Sequence, residues 1–300
     1  MATVKPGRRY LDPNALSRLA NMKLIARTVV EGFVSGLHQS PYHGFSVEFS
    51  EYREYTPGDD LKHFDWRAFA RCDKQYIKQY QEETNLRATI LLDCSRSMAY
   101  SSNGISKFTY ACYLAASLAY LMIRQQDSVG MVIFDDKIRH RIPAKSTAAH
   151  LRDMLVVLEN TETSSRTGIA PTLHAMAEGI KKRGLVIIVS DLLEEQSEVL
   201  RGIKHFRHNR HEVLIFHVVD NAELRFPFGG LTTFRDMETG EKLMIEPQFF
   251  REEYIRQVEG FIKQYKRECA EGFVDYVLAD TSKPFDLLLA NYLAKRARLG

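Results

Sequence analysis

From Leu86 onward the chain alternates between apolar, β-branched runs and helical stretches. The strand-like runs are Ala88–Leu92, Val129–Phe134, Leu185–Ser190 and Val213–Val218; the helical stretches are Lys107–Arg124, Thr147–Glu159, Pro171–Lys182 and Glu195–Arg207. Parallel strands need crossover connections, and helices are the usual crossovers. The alternation therefore predicts an α/β fold, a mostly parallel sheet with helices on both faces. Lys137–Ile142 follows Phe134 closely and is expected to pair antiparallel at an edge. Lys107–Arg124 is apolar nearly all round, which predicts deep burial. After Asp220 the alternation is interrupted. Leu231–Phe234 and Lys242–Ile245 flank Glu238-Thr239-Gly240 as a hairpin. Pro247 opens a long helix to about Cys269, Phe273–Leu278 reads as a last strand, and Pro284–Arg298 as a closing helix.

Residues 1–85 have another texture. Asn14–Val34 reads as one or two helices, with apolar Leu16, Leu19, Met22, Ile25 and Val29. His38–Gly44 is loop-like, Val47–Tyr52 alternates like a half-exposed strand, and Thr56-Pro57-Gly58-Asp59-Asp60 is a turn. His63–Phe69 and Lys74–Gln81 read as further strands or a strand and a short helix. The expected organisation is a helical and small β-rich N-terminal unit, 1–85, and a larger α/β domain, 86–300, with a hairpin insertion near 225–246.

Composition excludes several classes. The net charge of +3 is too slight to argue for nucleic acid or an acidic membrane. The four cysteines (Cys72, Cys94, Cys112, Cys269) form no C-x-x-C pair and read as buried thiols in a reducing compartment. The stretch MATVKPGRRYLDP lacks the apolar core of a signal peptide. Ala111–Ile123, the longest apolar run, is shorter than the roughly 18 residues of a membrane span. A soluble, cytoplasmic protein is expected.

The chemistry concentrates where the first core strand ends. In LRATILLDCSRSM, the strand runs out into Asp93, Ser95 and Ser97, three hard oxygen donors on one tight loop. Such donors suit Mg²⁺, Mn²⁺ or Ca²⁺ rather than zinc or copper. In an open parallel sheet, ligands sit beyond the carboxyl ends of the strands, where strand order reverses. The strand Leu185–Ser190 runs into Asp191, which faces Asp93 over one crevice if the two strands are neighbours. Thr167 lies on the loop leading to the helix that Pro171 is expected to start; Thr172, the rival donor, would lie inside the first turn.

The set Asp93, Ser95, Ser97, Thr167 and Asp191 resembles, in order and context, the metal-ion-dependent adhesion site of von Willebrand factor A domains. The resemblance implies that Ser95 and Ser97 bind the ion directly, and that Thr167 and the two aspartates do so directly or through water. A Mg²⁺ (or Mn²⁺ or Ca²⁺) held mostly by neutral hydroxyls and waters keeps enough charge to attract a partner's acidic side chain. Arg96, between the serines, adds a positive charge that could help hold that partner. Arg166 and Leu192 stand where many such domains have Gly.

Upstream, Ser40-Pro41-Tyr42-His43-Gly44, Phe49 to Asp60, Asp65-Trp66 and Ala70-Arg71 resemble the signature of domain-of-unknown-function family 58 (DUF 58), bacterial von Willebrand factor A-like proteins. Lys107, Asp127–Gly130 and Ser190-Asp191 fit the same pattern. Members often accompany MoxR-type AAA+ ATPases and are thought to act as adaptors in assembling or activating other proteins. The resemblance implies a non-enzymatic adaptor with such a partner. Arg53, Arg67 and Arg71 are placed to pair with Asp59, Asp60 and Asp65.

Three histidines, His205, His208 and His211, fall at i, i+3 and i+6; a helix end dressed with positive side chains explains them better than zinc. Asp135-Asp136 ends a neighbouring strand on the site's side, with solvation as the simplest role. A metal-dependent hydrolase using Asp93 or Asp191 as base is the alternative, but the sequence offers no nucleophile–base pair and no carboxylate-rich two-metal set, and without a Walker A sequence or nucleophile elbow ATP hydrolysis and esterase readings have no anchor.

Overall fold

The computed structural model describes residues 86–102, 104–163, 168–237, 239–283 and 288, with Met22, Leu24, Ala26, Arg27 and Val30 and the backbone of 52–54 and 76–78. The chain divides into two compact units, residues 37–85 and residues 1–36 with 86–300. The division thus differs from a boundary at 85 by grouping the first 36 residues with the larger unit. In that unit Met22, Ala26 and Val30 are helical and buried at four-residue spacing, and the Met22 N–H donates to Glu159 Oε1 at 3.1 Å.

In the smaller unit, β1 (Tyr52–Glu54) and β2 (Tyr76–Lys78) pair antiparallel. His38–Gly44, the turn Thr56–Asp60, His63–Phe69 and the side chains of Arg53, Arg67, Arg71, Asp59, Asp60 and Asp65 lie outside the described residues. So do Thr167 and, apart from the helical, buried Leu288, the expected helix Pro284–Arg298.

The larger unit is built on strands β3 (Arg87–Asp93), β4 (Ser128–Phe134), β5 (Ile138–Lys145), β6 (Leu185–Ser190), β7 (Glu212–Val219) and β10 (Asp275–Asp280). Their order is β10-β7-β6-β3-β4-β5, all parallel except β5, which runs antiparallel to β4 at the edge. The central strands are apolar on both faces because helices cover both; every residue of β6 is buried. The edge strand β5 is instead exposed along most of its length and carries Arg139, His140, Arg141 and Pro143. Charges and proline at an edge discourage pairing with another chain.

Helix α1 (Lys107–Arg124) is buried on almost every side, as its composition predicts. Ser106 caps it, accepting from the Thr109 N–H at 3.0 Å. Helix α2 (Ala148–Asn160) buries one stripe, His150, Leu151, Met154, Leu155 and Leu158, and is capped by Thr147. Helices α3 (Ile169–Gly179) and α4 (Gln196–His208) pack together through Gly202, where an added Cβ would stand 2.9 Å from Leu173 Cβ. A short α5 (Asn221–Arg225) follows β7 and is held by a capping box between Asp220 and Glu223. The hairpin β8 (Thr232–Arg235) and β9 (Lys242–Ile245) forms as expected. The last long helix, α6 (Arg251–Glu271), begins after a 3₁₀ turn at Pro247–Phe249.

Two elements shift from their sequence-based positions. The final strand starts at Asp275, because Phe273 (φ 53°) occupies a left-handed turn after α6 and its ring is 82% exposed. α3 starts two residues before Pro171, with the Ala170 N–H capped by Glu194 Oε2 at 2.9 Å. Among the described residues, no helix is long and apolar enough to cross a membrane. Cys94, Cys112 and Cys269 are free and buried.

Candidate metal centre

Strands β3 and β6 are hydrogen-bonded neighbours, with Leu92 level with Val189. From β3 the chain builds one way through β4 and then the other way from β6, so the order reverses between these two strands. Their carboxyl ends open the crevice where open α/β sheets bind ligands. Asp93 ends β3 and Asp191 follows β6; both are buried.

Asp93 turns the chain through its own carboxylate. Its Oδ1 accepts the Ser95 N–H at 2.8 Å, and its Oδ2 accepts the Ser190 hydroxyl at 2.5 Å. The turn leads into a 3₁₀ helix at Arg96–Ala99. Ser95 precedes that helix, yet its side chain does not cap it. Its Oγ points instead to Ser97 Oγ, 3.1 Å away. Ser95 is fully buried and Ser97 and Arg96 are half-buried.

Asp191 Oδ1 accepts the Leu193 N–H at 3.3 Å. Its Oδ2 is buried without an aligned hydrogen bond, although the Lys107 ammonium lies 2.8 Å away. At that distance the ammonium and the carboxylate form a buried ion pair. Lys107 also meets Glu223 Oε1 at 2.7 Å, and its side chain has no solvent exposure. Burial alone would lower the Lys107 pKa, but Asp191 and Glu223 hold it above its ordinary value. Burial, opposed by Lys107, raises that of Glu223. Burial and then the Asp191 charge push Asp93 up to about 7.

These residues fit a small, hard divalent ion. Adjacent corners of an octahedral shell with metal–oxygen bonds of about 2.1 Å lie about 3.0 Å apart, close to the Ser95–Ser97 oxygen separation. A cation there would also relieve the repulsion between two buried carboxylates. Among the described residues, no group of three or more His, Cys, Asp or Glu side chains could hold a metal. Any cation here would rest on hydroxyls supported by carboxylates, chemistry that suits Mg²⁺ or Mn²⁺ better than zinc.

The structure brings together Asp93, Ser95, Ser97 and Asp191; Thr167 lies outside the described residues. Thr172 is buried in the first turn of α3, as expected, and donates its hydroxyl to the Gly168 carbonyl at 3.4 Å. Leu192 explains why glycine suits its position: its φ is 53°, and its side chain is wholly buried in the core. A left-handed conformation costs a non-glycine residue about 1–2 kcal/mol, offset here by that burial.

Sequence reasoning placed Ser190 and Lys107 in the family pattern without assigning them to the site, and missed Glu223. Ser190 bridges the strands by donating to Asp93 and accepting the Leu192 N–H at 3.0 Å. Lys107 was legible as a charge opening an otherwise apolar helix, and Glu223 as the fourth residue of the pattern Asp-x-x-Glu. Asp135 is not solvated: it is fully buried, accepts the Lys137 N–H at 3.0 Å and receives Arg139 Nε at 2.6 Å. The three histidines do not converge. His205 faces His174 of α3, Nδ1 to Nδ1 at 3.2 Å, and His211 Nε2 lies 3.0 Å from the Ile180 carbonyl.

An uncharacterized protein of Mycobacterium tuberculosis is 26% identical over 252 residues, covering 82% of this chain and 78% of that protein. Among solved structures, BatB from Bacteroides thetaiotaomicron is 18% identical and covers 71% of this chain and 99% of its own, with a TM-score of 0.49. The SpRpn10 VWA domain is 12% identical and covers 70% and 94%, with a TM-score of 0.37. The strand order with its antiparallel edge is that of a von Willebrand factor A-like fold. Residues 51–261 match the family described as "Protein of unknown function DUF58", and the chain belongs to the DUF58 family.

Proposed function

We propose that this chain is a non-enzymatic protein-binding adaptor that uses a divalent ion at Asp93, Ser95, Ser97 and Asp191 to engage an acidic side chain of its partner. The observation that carries the reading is the pair of serine hydroxyls, 3.1 Å apart at the switch point, backed by two buried carboxylates. The serines would hold the ion, with Thr167 as a further donor. The ion, when bound, supplies a positive charge that the protein's neutral oxygens do not cancel. Arg96 is half-buried beside the serines and adds positive charge to the rim. The hydroxyl-rich donor set supports binding over hydrolysis, since a two-metal hydrolytic centre needs more carboxylates.

The family resemblance supports a MoxR-type AAA+ ATPase as the partner. The test is capture of a purified MoxR-type ATPase by the immobilised chain in Mg²⁺. Capture is expected to fall at least severalfold with EDTA and with Ser95→Ala. Equal recovery under all three conditions would overturn the reading.

A further inference from the structure

The charges around the crevice do not balance without help. Asp93, Asp191 and Asp220 are buried and Glu223 is partly so, and one ammonium, Lys107, stands among these four carboxylates. Lys107 has no solvent exposure, lies 2.8 Å from Asp191 and 2.7 Å from Glu223, and has the Tyr100 ring 5.9 Å away. It is fixed from both ends, by the first turn of α1 and by the capping box that holds Glu223 on α5. A carboxylate has about four lone-pair positions, so Lys107 offsets the charge of Asp191 without using up its donor capacity.

We propose that Lys107 is a specificity-determining positioning residue, a resident counter-charge that weakens the site's hold on its cation and strengthens the loaded site's hold on an outside carboxylate. The inference rests on the metal reading above. With Lys107 present, a divalent ion offsets most of the cluster's negative charge, and an incoming carboxylate meets the cation with less negative charge behind it. Without Lys107 the loaded cluster is more negative by one charge. The ion is then held more tightly, and an acidic ligand is repelled over a few ångströms of low-dielectric interior, where such terms are large. Affinity for ion and affinity for acid thus move in opposite directions.

The test uses wild type, E223Q and K107M/E223Q, with folding checked by near-ultraviolet circular dichroism. Mn²⁺ affinity is read from the electron paramagnetic resonance signal of free Mn²⁺. Acetate affinity is read from the fall in water-proton relaxivity as acetate displaces water from bound Mn²⁺. E223Q leaves Lys107 to Asp191 alone, so Mn²⁺ should bind about threefold more weakly and acetate more tightly than in wild type. Removing Lys107 from that background should tighten Mn²⁺ and weaken acetate by about tenfold each. A purely structural role would not give opposite signs for the two ligands. Mn²⁺ and acetate affinities within twofold across E223Q and K107M/E223Q, with Mn²⁺ bound by wild type, would overturn this inference alone. Should K107M/E223Q fail to fold, equal affinities in wild type and E223Q would do the same. Wild type that binds no Mn²⁺ would overturn the metal reading and this inference with it.

Discussion

The Ser190 hydroxyl donates to Asp93 Oδ2 at 2.5 Å, tying together the ends of two neighbouring strands whose residues lie 97 apart in sequence. Both groups are fully buried, so the bond is made in a low-dielectric setting and one of its partners is a carboxylate. Ser190→Ala leaves Asp93 with one fewer donor and frees the Leu192 N–H. Hydrogen bonds to charged groups contribute about 1.5–3 kcal/mol, and we expect a stability loss of that size in urea denaturation. A loss below about 0.5 kcal/mol would show that water replaces the hydroxyl.

Divalent ions should stabilise the fold by mass action. At an ion concentration a hundred times Kd, the gain is about 2.7 kcal/mol. Mg²⁺ or Mn²⁺ is expected to raise Tm for wild type and to leave Ser95→Ala unchanged, because Ser95 Oγ is half of the hydroxyl pair. An equal rise in both proteins, measured by differential scanning fluorimetry, would place the ion elsewhere.

Acid should weaken the fold through His217. This residue is buried in β7, with Nδ1 2.5 Å from the Tyr276 hydroxyl. Burial lowers its pKa from 6.5 to about 4. The unfolded chain therefore binds a proton that the folded chain refuses between those values. Stability from this group is complete above about pH 6.5 and is lost as pH falls toward 4, by about 3 kcal/mol in total. His217→Gln should flatten the slope of stability against pH across that window; an unchanged slope would remove His217 as its cause.

Two glycines should respond oppositely to alanine. An added Cβ at Gly184 would stand 2.2 Å from the Arg87 carbonyl oxygen, a backbone atom at the start of β3 that cannot move alone. We expect Gly184→Ala to cost upward of about 3 kcal/mol, the high end for overpacking. Gly260 lies within α6 with nothing within 4 Å of an added Cβ. Gly260→Ala should stabilise by up to about 1 kcal/mol through helix propensity. Urea denaturation of the two variants reads both signs.

Much of the fold was legible because periodicity is a local property. The strand runs, the buried helix Lys107–Arg124, the hairpin and the antiparallel edge were read within one or a few residues of their positions. The errors fall where short-range chemistry competes. Phe273 looks like a strand residue but ends a helix in a left-handed turn. Asp135 looks like a loop carboxylate but is held by Arg139 and a backbone N–H inside a tight turn.

The sequence alone put Asp93, Ser95 and Ser97 on one loop, since Asp-x-Ser-x-Ser at a strand end does so whatever lies around it. It also determined the layers, because apolar runs joined by helices leave few alternatives to a parallel sheet. It took the folded chain to make β3 and β6 neighbours, to lock Asp93 with Ser190, and to stand Lys107 between Asp191 and Glu223. Those are choices of long-range pairing, and a buried charge acquires its partners from whichever elements fold around it rather than from its neighbours in the chain.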